Sequence, residues 1–172
     1  VVKYDGTEWV SYTESDGLAC DTVTAMTEDL NGNMWFGGLS GDVSKFDGTT
    51  WKVFTRPSGI REIILDMAAD PEGNVWFITG SGATMYDGSR WRKYDETDGL
   101  GGYGASALAV DPEGKKWFAT MNGVSVFDDQ VWTYYSQEDG LISNDIISIA
   151  FEPDGTGWFG SGYYGLSGLS FE

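Results

Sequence analysis

The chain has 172 residues, with 10 Lys and Arg against 27 Asp and Glu and no histidine, for a formal charge of −17. The length suits one domain with a sizeable core, and 8 Trp, 9 Tyr and 9 Phe exclude a disordered acidic chain. The charge repels phosphate backbones and so excludes nucleic acid, while the lack of His removes the usual general base and every imidazole metal site. Cys20 is the lone cysteine, so neither an intrachain disulfide nor a thiolate cluster forms. No apolar run approaches the length of a membrane span, and no signal peptide is recognisable. Because the chain opens on Val1 rather than Met, it is expected to be a processed or excised piece, and the N-terminus says nothing of compartment.

Taken in order, the chain opens on two short strands, Val1–Tyr4 and Trp9–Tyr12, joined by Asp5-Gly6, a good hairpin dipeptide. A cycle of four follows. Thr22–Glu28 alternates as strand a, Asp29-Leu30-Asn31-Gly32 turns, and Met34–Gly37 is strand b; Val43–Phe46 and Trp51–Thr55 are strands c and d across Asp47-Gly48. Two more cycles repeat it, with a–b turns Asp70-Pro71-Glu72-Gly73 and Asp111-Pro112-Glu113-Gly114 of type I character. The c–d turn is Asp87-Gly88 in one of these and Asp128-Asp129 in the other, where a looser turn is expected. The chain closes on strand a (Ile146–Phe151), strand b (Gly157–Gly160) and a further strand c expected at Leu169–Phe171.

One rule of spacing places all eight tryptophans. Trp-Phe recurs at Trp35, Trp76, Trp117 and Trp158 in steps of 41, while Trp9, Trp51, Trp91 and Trp132 are spaced 42, 40 and 41. Adjacent Trp and Phe on a strand point to opposite faces, so both faces of each sheet must be covered. Small four-stranded sheets packed side by side around an axis satisfy this. The expected fold is therefore an all-β propeller of four-stranded antiparallel blades, with about four 41-residue repeats forming a single domain over 1–172. Partial blades fall at 1–13 and 142–172, and blades at 19–55, 60–95 and 101–136. The N-terminal c–d pair is expected to complete the C-terminal a–b pair. A closed four-blade ring, half of a dimeric ring and an arc of a larger propeller all fit this phase. All eight tryptophans are expected to pack in the core, those of strand d with a ring edge exposed.

The run Phe46-Asp47-Gly48-Thr49-Thr50-Trp51-Lys52-Val53-Phe54-Thr55, the loop Glu138-Asp139-Gly140-Leu141 and Gly73-Asn74-Val75-Trp76-Phe77 together resemble the two-component regulator propeller repeat. The resemblance covers essentially the whole chain. It implies the sensor region of bacterial hybrid histidine kinases, hence a periplasmic or extracellular site and an oligosaccharide ligand. The hairpins are more distantly similar to those of streptogramin lyase. That family's activity uses a histidine and a magnesium ion, and with no His here it has no position to transfer to.

In a propeller the d–a and b–c connections share one face around the axis. The residues entering strand a are Asp21, Glu62, Tyr103 and Asn144, in steps of 41, and they differ in chemistry while their neighbours do not. Two acceptors, an aromatic platform and an amide suit a polyhydroxylated ligand, against the alternative of a solvated channel mouth with ordinary loop drift. The b–c loops add Asn122, Tyr163 and Tyr164, the tyrosines either stacking on a sugar ring or packing on a neighbouring blade. Asp29-Leu30-Asn31-Gly32-Asn33 begins like a calcium loop but lacks the distal Glu, so a hairpin turn is expected. Arg90, Arg92, Lys93, Lys115 and Lys116 are expected to form a surface ion-pair cluster with Asp95, Glu96 and Asp98.

The reading is a non-catalytic ligand-binding propeller of sensor type, for carbohydrate or another polar small molecule, with no catalytic residue, cofactor or metal. The alternatives are a self-assembling scaffold, paired as a homodimer or with further blades, and an enzyme using carboxylates alone, Asp21 with Glu62.

Overall fold

A computed structural model describes residues 1–102 and 104–170. The chain forms a β-propeller segment of antiparallel blades. The hairpin β1 (Val2–Tyr4) and β2 (Trp9–Ser11) stands as its own sheet. Three four-stranded sheets follow in a–b–c–d order. They are β3 (Val23–Glu28), β4 (Met34–Gly38), β5 (Val43–Phe46) and β6 (Trp51–Phe54); then β7 (Asp66–Ala69), β8 (Val75–Thr79), β9 (Gly82–Tyr86) and β10 (Trp91–Tyr94); then β11 (Ala107–Val110), β12 (Lys116–Thr120), β13 (Gly123–Phe127) and β14 (Trp132–Tyr135). The last sheet has three strands, β15 (Ile146–Phe151), β16 (Gly157–Ser161) and β17 (Gly165–Leu169).

The a–b turns explain why Asp stands six residues before each Trp. Asp29, Asp70 and Asp111 each accept the indole Nε1–H of Trp35, Trp76 and Trp117 at 2.8 Å. The same carboxylates accept the amides that form the turn, as Asp29 does from the backbone of Asn31 and Asn33. The carboxylate thus makes a hairpin turn and satisfies the N–H of a buried indole, and no calcium loop is built there.

Each of these indoles is a joint between blades. Trp35 packs on Phe54 of its own blade and on Phe77 and Tyr86 of the next. Trp76 lies likewise among Tyr94, Phe118 and Phe127, and Trp117 among Tyr135, Phe159 and Phe151. A buried indole withdraws on the order of 200 Å² from water, about 5 kcal/mol of transfer free energy, so these rings dominate the core. Polar links reinforce the joints near the axis: Thr24 Oγ1 donates to Ile64 O at 2.6 Å, Leu108 N to Asp66 Oδ2 at 3.0 Å, and Ser106 Oγ to Ile146 O at 2.8 Å. Strand-c hydroxyls hold the d–a loops, with Ala19 N donating to Ser44, Gly101 N to Ser125 and Ile142 N to Ser167.

Several expectations are corrected. The N-terminal hairpin does not complete the last sheet, because β17 already occupies the edge of β16 that β1 would take. Inner strands neighbour one another in the order β3, β7, β11, β15, and the arc is open. Strand c of the last sheet begins at Gly165 rather than Leu169, one residue later than the repeat spacing because the b–c loop carries both Tyr163 and Tyr164; Phe171 lies outside the described residues. Trp158 is 39% exposed, where Trp35, Trp76 and Trp117 are at most 2%, since no further blade packs on it among the described residues. Trp9 is 71% exposed because its hairpin has no strand b, and it stacks only on Tyr4. The Asp128-Asp129 turn is not loose: Gln130 N and Val131 N donate to Asp128 Oδ1, as Ser89 N and Arg90 N do to Asp87. Lys116 is not on the surface but fully buried.

Candidate functional site

Antiparallel strand order puts the d–a and b–c connections on one face of the arc. There the b–c loop of each blade meets the d–a loop that enters the next. Ile64 N donates to Gly38 O and Ala105 N to Thr79 O, both at 3.3 Å. A Cβ on Gly41, which has φ +79°, would come 2.8 Å from Glu62 O, so this approach requires glycine.

Asp21 is exposed and committed locally, its Oδ1 accepting Glu14 N while its own N–H donates to Glu14 Oε1. Asn144 closes the equivalent loop in the last blade, its Oδ1 accepting Gln137 N at 2.7 Å. Both follow a 3₁₀ turn, Glu14–Asp16 or Gln137–Asp139, with the Gly of the Asp-Gly-Leu sequence in left-handed conformation. Asn122 is exposed on the b–c loop of the third blade, its N–H donating to Thr120 Oγ1. Tyr163 and Tyr164 are exposed, 88% and 66%, with their N–H groups donating to Ser161 Oγ. Tyr103 lies outside the described residues. No hydrogen bond joins any two of these residues among the described set.

Glu62 differs from the other three. Its loop, Pro57–Leu65, lacks the acidic turn, and its carboxyl reaches the b–c loop of its own blade. The Ser81 hydroxyl holds the Glu62 carboxyl below the usual carboxylate range; burial opposes this, and Thr79 and the Lys93 ammonium assist. Yet its Oε1 is buried and finds no hydrogen-bond partner among the described residues. Ser81 also lines an open cleft of about 300 Å³ with Lys93, Asp95, Glu96, Thr97, Gly102 and Gly104, and Glu62 stands behind Ser81, outside that lining. Lys93 is also 3.5 Å from Asp95, on the rim. The cleft thus offers one ammonium, two hydroxyls and carboxylate acceptors, the equipment of a site for polar groups.

Sequence reasoning found Glu62 from its repeat position and placed Lys93 in an ion pair, which it makes with Asp95, but missed Ser81 and Thr97. Ser81 was visible as the residue between Gly80 and Gly82, in a loop where the first blade has Ser40-Gly41-Asp42 and the third has Met121-Asn122. Among the described residues, no three His, Cys, Asp or Glu side chains are placed to hold a metal ion. No helix there is long and apolar enough to cross a membrane.

The fold and this face define a β-propeller of repeated four-stranded blades. No family model matches the sequence, and no curated protein matches it. Solved structures do. The extracellular domain assigned to a hybrid two component system of B. thetaiotaomicron aligns over 94% of this chain and 24% of its own length, with a TM-score of 0.77 and 21% identity. A second such domain from the same organism covers 97% of this chain and 24% of its own, with a TM-score of 0.77 and 17% identity. Streptogramin B lyase covers 87% and 54%, with a TM-score of 0.64 and 16% identity. Both families whose hairpins the repeat resembles therefore stand among its structural neighbours. At these identities the likeness is one of fold, and the chain spans about a quarter of the length of the two extracellular domains.

Proposed function

We propose that this chain is a segment of a sensor-type, non-catalytic propeller, periplasmic or extracellular, that binds a polar polyhydroxylated ligand of the carbohydrate class on its d–a and b–c loop face. The observation that carries the proposal is the buried Oε1 of Glu62, without a hydrogen-bond partner among the described residues, behind Ser81, which lines the cleft together with Lys93. An unsatisfied buried acceptor costs about 1–3 kcal/mol, and a ligand hydroxyl donating to it recovers that cost. Tyr103, which the repeat spacing puts in the same set as Glu62, is the aromatic member of this reading. Asp21 and Asn144 shape their loops, and Asn122, Tyr163 and Tyr164 extend the face toward the later blades. The extracellular structural neighbours support both the sensor reading and the compartment. Because Asp21 is engaged within its own loop, the pairing of Asp21 with Glu62 that an acid-base hydrolase needs has no support.

The test is thermal stabilisation by a panel of neutral oligosaccharides. A binder at one hundred times its dissociation constant stabilises by about 2.7 kcal/mol. The expected result is a shift with at least one member that Glu62→Gln, Ser81→Ala and Tyr103→Ala each diminish. No shift across the panel, or one that all three variants retain, overturns the proposal.

A further inference from the structure

The a–b and c–d turns lie on the face opposite the d–a and b–c loops. There the joint between the first and second blades holds an open crevice of about 390 Å³. The first blade gives it Asp29, Lys45, Asp47, Lys52 and Phe54, and the second gives Val75, Tyr86 and Gly88. Two carboxylates and two ammonium ions share this space, but they differ in what they have left to offer. Asp29 accepts the Asn31 and Asn33 backbone amides, Asn33 Nδ2 and the Trp35 indole, and lies 3.3 Å from Lys45. Asp47 accepts four bonds from Thr49 and Thr50. A carboxylate has about four lone-pair sites, so both are spent on the turns they build. The ammonium ions are not spent. Lys45 is paired with Asp29 alone, and Lys52 makes no ion pair among the described residues, lying over the Phe54 ring at 4.7 Å. The polar capacity left in the crevice is that of a donor.

The later joints show the same crevice supplied with charge by the chain itself. Between the second and third blades, Lys116 and Asp129 stand in the places of Val75 and Gly88. The Lys116 ammonium lies over the Trp76 ring and bonds to the Asp129 carboxylate. At the first joint the cation over the indole is Lys45, 5.1 Å from the Trp35 ring. Its carboxylate counterpart is missing, and a Cβ on Gly88 would meet nothing within 4 Å. The turn changes in the same sense. Where the first joint has Asn31, the others have Glu72, 4.0 Å from Lys116, and Glu113, 2.6 Å from Lys115. Those lysines have acids of their own chain at hand, and Lys52 has none.

We propose that the crevice between the first and second blades binds a small organic carboxylate, whose anionic group takes the place that Asp129 holds at the next joint. Lys45 and Lys52 donate to that group, and the body of the ligand lies against Phe54 and Tyr86. Bonds between ionised partners are shorter and stronger than neutral ones. The formal charge of −17 opposes an anion only weakly here, because salt at about 0.1 M screens charges beyond about 10 Å while the two ammonium ions touch it. The volume falls within the range of small-molecule sites. This is a second site, on the opposite face from Glu62 and Ser81.

The test is a titration with benzoate and with glucuronate, followed through the backbone amide signals of Asn31, Lys45 and Gly88 in NMR spectra. Benzyl alcohol and glucose are the neutral counterparts, and sodium chloride at matched ionic strength is the salt control. The expected result is a saturable shift with at least one acid that neither its neutral counterpart nor chloride gives. Gly88→Asp puts a carboxylate of the chain where Asp129 has one, and Lys52→Thr installs the residue of the third copy. Each should weaken binding by about tenfold or more. Both positions are exposed, Asp129 already holds a left-handed backbone at φ +75°, and the same spectra show that the variants fold. No saturable shift with either acid overturns the proposal. So does a shift that the neutral counterpart or chloride reproduces, or one that either variant retains in full. Every outcome leaves the oligosaccharide test on the loop face standing.

Discussion

The Lys116 ammonium, fully buried at the joint between the second and third blades, lies 2.5 Å from Asp129 Oδ1, and both residues depart from their own repeat. Where Lys116 stands, the earlier copies have Met34 and Val75; where Asp129 stands, they have Gly48 and Gly88. Asp129 keeps the left-handed backbone of those glycines, at φ +75°. Two departures from the rule thus meet in space and answer each other. The ammonium also lies over the Trp76 and Phe127 rings, both 5.7 Å away, with Glu72 at 4.0 Å.

Removing one partner of a buried pair costs about 3–5 kcal/mol, and less where one member reaches water. The Asp129 side chain is 48% exposed. Asp129→Asn, which tolerates the same backbone, should therefore destabilise by about 2 kcal/mol. The double variant Lys116→Val, Asp129→Gly restores the residues of the preceding copy and should fall within about 1 kcal/mol of the parent. Urea denaturation of the parent and both variants checks this. Equal destabilisation of the single and double variants would show that the pair is not coupled.

The turn aspartates should divide by burial. Asp70 is wholly buried and accepts from Trp76 Nε1, Asn74 N and Asn74 Nδ2. Asp70→Ala strands these donors, and the expected loss is about 3 kcal/mol. Glu152 makes the same bond to Trp158, but at an exposed site where water replaces it. Glu152→Ala should cost less than about 1 kcal/mol. Denaturation midpoints of the two variants, taken side by side, test the contrast.

Acid should unfold the protein over a defined interval. Burial pushes the Asp29 carboxyl up, but hydrogen bonds from Trp35, Asn33 and the turn backbone outweigh it and hold it at about 2. The Glu8 amide, with Thr7, holds Asp5 at about 2, and the Thr50 hydroxyl and amide hold Asp47 well below its ordinary value. A carboxyl whose folded pKa is depressed contributes stability above its unfolded value, 3.8 for Asp, and that stability is lost as pH falls through the folded value. Melting temperature should therefore drop between about pH 4 and pH 2. With no histidine in the chain, no further step is expected from about pH 5 to pH 8. A melting curve against pH checks both statements.

Much of the fold was legible because Trp and Phe in succession demand two covered faces. The pairs at Trp35, Trp76 and Trp117 located strand b to within a residue, and the turn glycines located its start. The ends were not legible. Whether Trp158 or Trp9 is buried depends on what lies beyond its own sheet, and a repeat pattern treats every copy as though it had neighbours. Lys116 was misplaced for a related reason: a lysine reads as surface until its partner is known, and Asp129 is 13 residues away across a hairpin. Of the candidate site, repeat comparison gave Glu62 as one of four positions, with Asp21, Tyr103 and Asn144, that differ in chemistry. It did not find Ser81, nor the relation of Lys93 to Glu62, since both arise only when β9 and β10 fold back beside the loop that enters β7.

The succession of joints along β3, β7, β11 and β15 also determines how stability is shared. Each blade answers only to the blades on either side, so the protein behaves as a short chain of coupled units rather than as one indivisible core. The second and third blades have complete sheets and a neighbour on both flanks, and they act as the thermodynamic keystone. Each end unit is held by a single joint and is the first to loosen. Substitutions of equal size therefore weigh more heavily at Trp76 than at Trp158, and the loop-face cleft, set between the two central blades, occupies the part of the array that holds its shape longest.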